Sequence, residues 1–165
     1  MRTHLLSSFG LLGACLLVPL AATHAQRLYP VQGPATAQTP PPSFNAKLSN
    51  YLGNSGKITL TRAGGETFQG TWTTVTITYA NLKPPGAPSS YPPQPNLAFA
   101  WDLVYGQGYF LKYILGSQYV GQATASGSNG TILQLEFQKE KLGGAIDNIF
   151  GVAVDNKGNI YKVVL

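Results

Sequence analysis

Carboxylic acids are the side chains best suited to carry out chemistry in the part of the chain that follows residue 25. There are six of them: Glu66, Asp102, Glu136, Glu140, Asp147 and Asp155. Two carboxylates at a suitable separation in a cleft can hydrolyse a glycosidic bond. Asp102 lies in an apolar run between Trp101 and Leu103, which makes it the best candidate for such an acid. A catalytic pKa needs neighbours that the sequence does not identify, so we expect Asp102 to be a structural residue with a hydrogen-bond partner.

Four of the other acids occupy positions typical of surface or turn residues. Glu136 and Glu140 lie on or beside the outward face of a predicted strand, where carboxylates are usually solvated. Glu66 and Asp155 adjoin predicted turns, where they suit local hydrogen bonds. These positions favour a protein that is not an enzyme, with a carboxylate-dependent hydrolase of envelope glycans as the alternative.

Histidine and cysteine occur only among the first 25 residues, as His4, Cys15 and His24. The rest of the chain can therefore assemble neither a Ser-His-Asp nor a Cys-His nucleophile system. Zinc, copper and haem sites rely on the same side chains and are not expected. The sequence also contains no phosphate-binding glycine motif and no dinucleotide fingerprint, so we predict neither a metal nor a cofactor.

Residues 155–159, with the sequence DNKGN, form an oxygen-rich cluster that invites comparison with a calcium loop. The cluster lacks the alternating carboxylates and the distal Glu of such a loop, and Lys157 adds an opposing charge. We therefore predict a hairpin turn in which Gly158 adopts a positive φ.

Aromatic side chains offer a second route to function, through binding. The candidate binding residues are Trp72, Trp101, Tyr105 and Tyr109, with Tyr113 beside them. Such rings could form a platform for a sugar, a peptide or peptidoglycan; alternatively, they build the core and its rim. The three tyrosines are spaced by four, which gives a helical stripe only if Gly106 and Gly108 tolerate a helix.

The net charge is +5, from 11 Lys and Arg against 6 Asp and Glu. The lysines are dispersed along the chain, as solubility requires, and form no basic block. Nucleic acid is therefore not expected as a partner.

Residues 1–25 have the features of a secretory signal peptide. Arg2 precedes an apolar stretch over residues 5–22, and Thr23 and Ala25 place small residues where a signal peptidase cleaves. We expect an exported protein, periplasmic or extracellular, that meets the membrane only through this leader. Residues 12–15, LGAC, also resemble the lipobox of bacterial lipoproteins, and lipidation of Cys15 would instead produce an outer-membrane lipoprotein.

All prolines beyond Pro19 fall within residues 30–42 and 84–95. Proline has no amide donor and is excluded from central strands, so neither stretch is predicted to belong to the core. We assign residues 26–43 to an extended spacer, 44–165 to a single β domain, and 83–96 to a proline-rich loop within it. This loop either covers a sheet edge, which we favour, or offers a polyproline ligand to an aromatic groove.

Period-two alternation with Thr, Val, Ile and Tyr enrichment predicts antiparallel strands. The segments are 57–61, 74–79, 119–125, 131–138, 152–154 and 161–165, and a strand over 97–105 brings the number to about seven. We predict an all-β fold, a small antiparallel barrel or sandwich, whose last strand ties the terminus into the sheet. For residues 97–115 we predict two strands joined at residues 106–108, with a short helix as the alternative.

Residues 65–72, GETFQGTW, resemble one unit of the membrane occupation and recognition nexus (MORN) repeat, whose core is aromatic-x-Gly-x-Trp. Phe68, Gly70 and Trp72 supply that core in a single copy, whereas the repeat works in tandem arrays. The same segment, with residues 28–34 and 151–163, is similar to small exported proteins and lipoproteins of Gram-negative-type bacteria. That similarity implies a cell-envelope location and no established activity. We also expect a bulge at Gly70, because the phase of alternation shifts between Trp72 and Val75.

The sequence therefore predicts an exported all-β module of the cell envelope with a binding or structural role. Its expected partner is an envelope protein, a peptide or a glycan.

Overall fold

The computed structural model describes residues 26–78, 96–142 and 145–165. Within these ranges eight antiparallel strands form a closed barrel, in which each strand pairs with its neighbours in sequence and the last pairs with the first. The strands are β1 (Arg27–Gln32), β2 (Phe44–Leu48), β3 (Ser55–Arg62), β4 (Thr67–Val75), β5 (Val120–Gly127), β6 (Ile132–Leu142), β7 (Ala145–Asp155) and β8 (Ile160–Val164). The predicted all-β antiparallel fold is confirmed, as a barrel of eight strands where about seven were expected.

In the described part of the chain, three short helical elements accompany the barrel. A 3₁₀ helix, Pro34–Ala37, follows β1, and helix α1, Leu97–Tyr105, and a π-helical segment, Phe110–Ile114, lie between β4 and β5. No helix in the described ranges is long and apolar enough to cross a bilayer.

The barrel interior is a packed core, as expected for a barrel of eight strands. Aromatic rings meet edge to face inside it: the Phe44 ring centroid lies 5.3 Å from those of both Phe68 and Tyr161. Small residues allow the strands to approach closely. A Cβ added to Gly151 would lie 2.7 Å from the Cα of Phe137, so only glycine fits at that position.

A second apolar layer covers part of the outer surface of the barrel. Trp101 from α1 and Phe110 and Ile114 from the π-helical segment are buried in one cluster with outward side chains of β7 and β8. Val152, Val154 and Ile160 are the buried residues that those two strands contribute. We call this assembly of α1, the π-helical segment and the strands beneath them the outer layer.

The prediction of two strands over residues 97–115, joined at residues 106–108, was wrong. The helical alternative forms, as α1, and the π-helical segment takes the place of the second strand. The Asn96 side chain caps α1 by accepting a hydrogen bond of 2.7 Å from the amide of Phe99. The helix ends at Gly106, whose φ of 111° favours glycine. A helix of only nine residues is stable here because its apolar side chains pack against the outer surface of the barrel.

The predicted strand over residues 74–79 is also corrected, because β4 begins at Thr67 and ends at Val75. Beyond that point Ile77 leaves the barrel, and its amide and carbonyl pair with Ser117 and Gly116. The expected bulge at Gly70 does not form, since the register of β4 with both neighbours is unbroken. Phe68 and Trp72 belong to the barrel core, whereas Val75 packs into the outer layer, and this change of partner accounts for the apparent shift in phase.

Part of the segment assigned to an extended spacer belongs to the barrel. Residues Arg27–Gln32 form β1, which pairs with β2 and β8 and buries Leu28. Pro30 is tolerated within β1 because it lies beyond the residues that pair with β2 and at a register shift against β8, and Pro34 opens the 3₁₀ helix. At the other terminus, Leu165 exchanges backbone hydrogen bonds with Ile149, so the predicted tie into the sheet is confirmed.

The predicted leader over residues 1–25, with Cys15, lies outside the described residues. The proline-rich loop predicted over residues 83–96 lies outside them as well, apart from Asn96.

Candidate functional site

Four aromatic side chains spaced by four residues stack against one another in the outer layer. They are Trp101, Tyr105, Tyr109 and Tyr113, and we call them the aromatic stack. Consecutive ring centroids lie 5.2, 5.1 and 4.8 Å apart, and the Trp101 and Tyr109 rings are nearly parallel at 11°. The positive φ values of Gly106 and Gly108 break the helix, yet the chain turns back into helical conformation at Tyr109. The four rings therefore stack as they would along one helix, although the helix is interrupted at Gly106 and Gly108.

Trp72 lies apart from the other three predicted binding residues. Its ring is buried inside the barrel, 5.7 Å from that of Phe137, and its Nε1 donates a hydrogen bond of 3.0 Å to the carbonyl of Ser49. The Trp101 ring is fully buried as well, between α1 and the barrel. Of the predicted binding residues, Tyr105 and Tyr109 are those that retain some exposure in the outer layer.

A groove of about 420 Å³ opens beside the outer end of the aromatic stack. We call it the tyrosine groove; it is lined by Tyr109, Tyr113, Ser117, Tyr119, Gln138, Lys139 and Phe150. The side chains of Tyr113 and Tyr119 are 49% and 68% exposed, so their rings are open to a ligand. The sequence analysis named Tyr109 and Tyr113, but it missed the residues contributed by β6, β7 and the segment before β5, because only the barrel topology brings them together.

Hydrogen bonds fix the polar lining of the groove. The Nε2 of Gln138 donates to the carbonyl of Tyr113 at 3.0 Å, and this bond does not use the acceptor oxygen, Oε1, of the Gln138 side chain. The Nζ of Lys139 donates to the carbonyl of Gly53 at 2.6 Å and lies 4.4 Å from the Trp72 ring centroid. The lining thus combines aromatic rings with hydroxyl and amide groups and contains no carboxylate among its described residues.

Two lysines flank the aromatic stack. The Nζ of Lys112 lies 4.9 Å from the Tyr113 ring centroid, and a hydrogen bond with Tyr113 raises the pKa of this lysine. The Nζ of Lys162 lies 5.7 Å from the Tyr105 ring. Burial raises the pKa of Tyr105, whose hydroxyl donates to the carbonyl of Gly151 at 3.1 Å, so this phenol is neutral at physiological pH.

Asp102 has the structural partner that the sequence analysis expected. Its Oδ1 accepts a hydrogen bond of 2.8 Å from the amide of Phe110, the first residue of the π-helical segment. The carboxylate therefore joins α1 to the element that carries Tyr113.

Glu136 corrects the expectation of a solvated carboxylate. The residue does lie on the outward face of β6, but the outer layer covers it and leaves it 4% exposed. Its Oε2 accepts from Nε1 of Trp101 and its Oε1 from Nε2 of Gln122, both at 2.8 Å. Burial raises the pKa of Glu136, and the two hydrogen bonds oppose that shift. The side chain of Glu140 lies outside the described part of the structure, as does that of Asp147.

Asp155 holds the turn between β7 and β8. One carboxylate oxygen accepts from the amides of Lys157 and Asn159, and the other from the Asn159 side chain and the Tyr161 hydroxyl. Gly158 adopts a φ of 84°, so the predicted hairpin turn is confirmed. The local hydrogen bond expected of Glu66 is replaced by an ion pair with Arg62 at 3.8 Å and a hydrogen bond of 3.4 Å from the amide of Asn129, which lies far along the chain. Among the described residues, no three potential ligands from His, Cys, Asp and Glu are grouped to hold a metal.

Each acid whose side chain is described thus accepts a hydrogen bond from another group of the protein, and the exposed aromatic chemistry lies in the tyrosine groove. Comparison with family models, with curated proteins and with solved structures finds no match that would assign this chain to a family.

Proposed function

We propose that this chain is an exported, non-catalytic binding module of the bacterial cell envelope, and that it binds its partner through the tyrosine groove. The observation that carries this proposal is the exposure of Tyr113 and Tyr119 beside a groove of about 420 Å³. Pockets for small ligands have volumes of roughly 300–1,000 Å³ and combine aromatic walls with a few polar groups. The tyrosine groove has this size and this chemistry.

A rigid support strengthens the proposal. Tyr113 packs on Tyr109, which stacks on the buried Trp101, so the groove wall is continuous with the outer layer. Binding residues held in place in this way lose little conformational entropy when a ligand arrives.

The contacts of the acids favour binding over catalysis. Asp102 and Asp155 accept hydrogen bonds from backbone amides, and Glu136 accepts them from two buried side chains. The alternative function, a carboxylate-dependent hydrolase of envelope glycans, requires a pair of carboxylates that reach a substrate. We therefore propose a non-catalytic role.

The proposal of export rests on the leader-like composition of residues 1–25. Mass spectrometry of the N-terminus of the protein recovered from cells tests it. A chain that begins at Gln26 supports soluble export, whereas a diacylated Cys15 identifies an outer-membrane lipoprotein. An intact leader on the recovered protein would overturn the proposal of export.

Co-sedimentation with isolated bacterial cell envelopes tests the binding role. We expect the wild-type protein to sediment with the envelopes and the double variant Tyr113→Ala/Tyr119→Ala to bind at least about tenfold more weakly, which corresponds to about 1.4 kcal/mol. Tyr51→Ala is the matched control, because Tyr51 is 44% exposed but does not line the groove. Equal binding of the double variant and the wild type would overturn the proposed site. Release of soluble glycan fragments by the wild type would overturn the non-catalytic role.

A further inference from the structure

We infer that the tyrosine groove binds an uncharged glycan, with sugar rings stacked on Tyr113 and Tyr119 and sugar hydroxyl groups bound by Gln138 and Ser117. This inference rests on the proposed binding function and names its ligand class.

The first argument is the presentation of the aromatic rings. Tyr113 and Tyr119 are about half and two-thirds exposed, whereas Trp101 is fully buried and Tyr105 and Tyr109 are half-buried. A tyrosine ring presents a flat apolar face with a hydroxyl at its edge. A pyranose ring has the complementary shape, since its C–H groups form an apolar face and its hydroxyls lie around the rim.

The second argument is the hydrogen-bonding character of the lining. One Nε2 hydrogen of Gln138 is taken by the Tyr113 carbonyl, so Gln138 offers a ligand the acceptor Oε1 and its second Nε2 hydrogen. Within the described ranges the hydroxyls of Ser117 and Tyr119 have no internal hydrogen-bond partner, and a hydroxyl both donates and accepts. Sugar hydroxyls can satisfy all of these groups.

The same groups argue against a proline-rich peptide, the other ligand that aromatic grooves commonly bind. Proline has no amide hydrogen, and a polyproline helix therefore presents carbonyl acceptors but few donors. Such a ligand would leave the Oε1 of Gln138 without a donor, at a cost that a glycan avoids.

The third argument is charge. The described lining contains no carboxylate, so a cationic ligand would meet the faces of tyrosine rings but no opposite charge there. The ammonium of Lys139, the charged residue of the lining, donates to the Gly53 carbonyl and contacts the Trp72 ring inside the barrel, so it is directed away from the groove. An anionic ligand would therefore find no ammonium presented by the described lining, whereas an uncharged glycan needs none.

Isothermal titration of the purified exported protein tests the inference. The probes are chitotetraose, cellotetraose and maltotetraose as uncharged glycans, a heparin-derived tetrasaccharide as an anionic one, and a decaproline peptide. We expect saturable binding of at least one uncharged tetrasaccharide and weaker or no binding of the heparin fragment and the peptide. Tyr119→Ala is expected to weaken the binding about tenfold, and Gln138→Leu, which keeps the size of the side chain but removes the acceptor, about fivefold.

Control measurements keep the result interpretable. Tyr51→Ala should bind as the wild type does, and thermal unfolding followed by circular dichroism establishes that each variant is folded. Binding of decaproline or the heparin fragment, with no binding of the uncharged sugars, would overturn the glycan assignment and leave the binding function in place. Absence of binding to every probe would also overturn the glycan assignment. The envelope co-sedimentation tests the binding function independently of that result.

Discussion

The Nε1 of Trp101 donates a hydrogen bond of 2.8 Å to the Oε2 of Glu136, which joins α1 to the outward face of β6. Gln122 on β5 donates to the other carboxylate oxygen at the same distance. A second polar contact, from the Tyr105 hydroxyl to the Gly151 carbonyl, joins the end of α1 to β7. The apolar contacts around them by themselves tolerate sliding, whereas a buried polar group must find its partner. The two hydrogen bonds therefore fix where α1 lies on the barrel, and with it the position of the aromatic stack.

Replacement of Glu136 separates its roles as acceptor and as charge. Glu136→Ala should lower the free energy of unfolding by about 2 kcal/mol, because the Trp101 indole loses its acceptor in a buried site. Glu136→Gln should stay within about 1 kcal/mol of the wild type, because the new amide can accept from Trp101 and donate to Gln122 once the Gln122 amide turns over. Urea denaturation measures both. If the two variants were equally stable, the hydrogen bond would have no role in holding α1.

The pH dependence of stability gives a separate test of the buried carboxylate. Burial raises the pKa of Glu136, so the folded chain binds this proton more tightly than the unfolded chain does. The unfolding free energy should therefore fall as the pH rises from about 4.3, the pKa of an exposed Glu, to the higher pKa of the folded state, and this contribution should be constant above it. The amide of Glu136→Gln does not titrate, so the difference between wild type and variant in urea denaturation isolates the effect. A difference that is independent of pH, or that favours the wild type as pH rises, would contradict it.

Glu136 also shows where sequence reasoning reaches its limit. The alternation of Leu133, Leu135 and Phe137 correctly placed Glu136 on the outward face of its strand. Its solvation could not be predicted, because the residues that cover it are some 35 positions away and pack there only once the barrel has closed. A period of two identifies the two faces of a strand but does not reveal which of them a helix will cover.

In the helical region, the side-chain spacing was informative and the secondary structure was predicted wrongly. The spacing of four among Tyr105, Tyr109 and Tyr113 was the correct signal for a stacked stripe, whereas Gly106 and Gly108 suggested that no helix could form there. The glycines end α1 and turn the chain, so they separate two helical pieces and do not prevent them. Tyr119 and Gln138 carried no sequence signal for the groove, since their proximity to the stack depends on strand register.

The carboxylate of Asp155 should be the main polar determinant of the β7–β8 turn. Asp155→Ala leaves two amides, the Asn159 side chain and the Tyr161 hydroxyl without their acceptor, and we expect a loss of about 3 kcal/mol. Tyr161→Phe removes one of these bonds and should cost about 1–2 kcal/mol. In the double variant the two losses should be less than additive, because the phenol then has no partner left to lose. Strict additivity in chemical denaturation would contradict the shared hydrogen bond.

Gly151 should tolerate no side chain. Its added Cβ would approach the backbone of Glu136 and Phe137 on the neighbouring strand, so Gly151→Ala must push β6 and β7 apart. Overpacking of this kind typically costs about 1–3 kcal/mol, and we expect the upper end because backbone cannot change rotamer. Gly116→Ala is the control: it has open space around it and a φ of 82°, so it tests backbone strain alone, at about 1 kcal/mol. Equal melting temperatures for the two variants would show that the strands are less closely apposed than described.

Variants of Asp102 distinguish a structural role of this carboxylate from a catalytic one. Its Oδ1 accepts from the Phe110 amide at the start of the π-helical segment, which carries Tyr113 into the tyrosine groove. Asp102→Ala should therefore lower stability by about 1–2 kcal/mol and weaken envelope binding through misplacement of Tyr113, whereas Asp102→Asn keeps an acceptor oxygen and should restore both. If Asp102 were a catalytic acid, Asp102→Asn would keep the stability of the wild type but lose the activity, because the amide preserves the fold and cannot transfer a proton. Urea denaturation and envelope co-sedimentation of both variants measure this, and an activity abolished in a fully stable Asp102→Asn protein would favour the hydrolase.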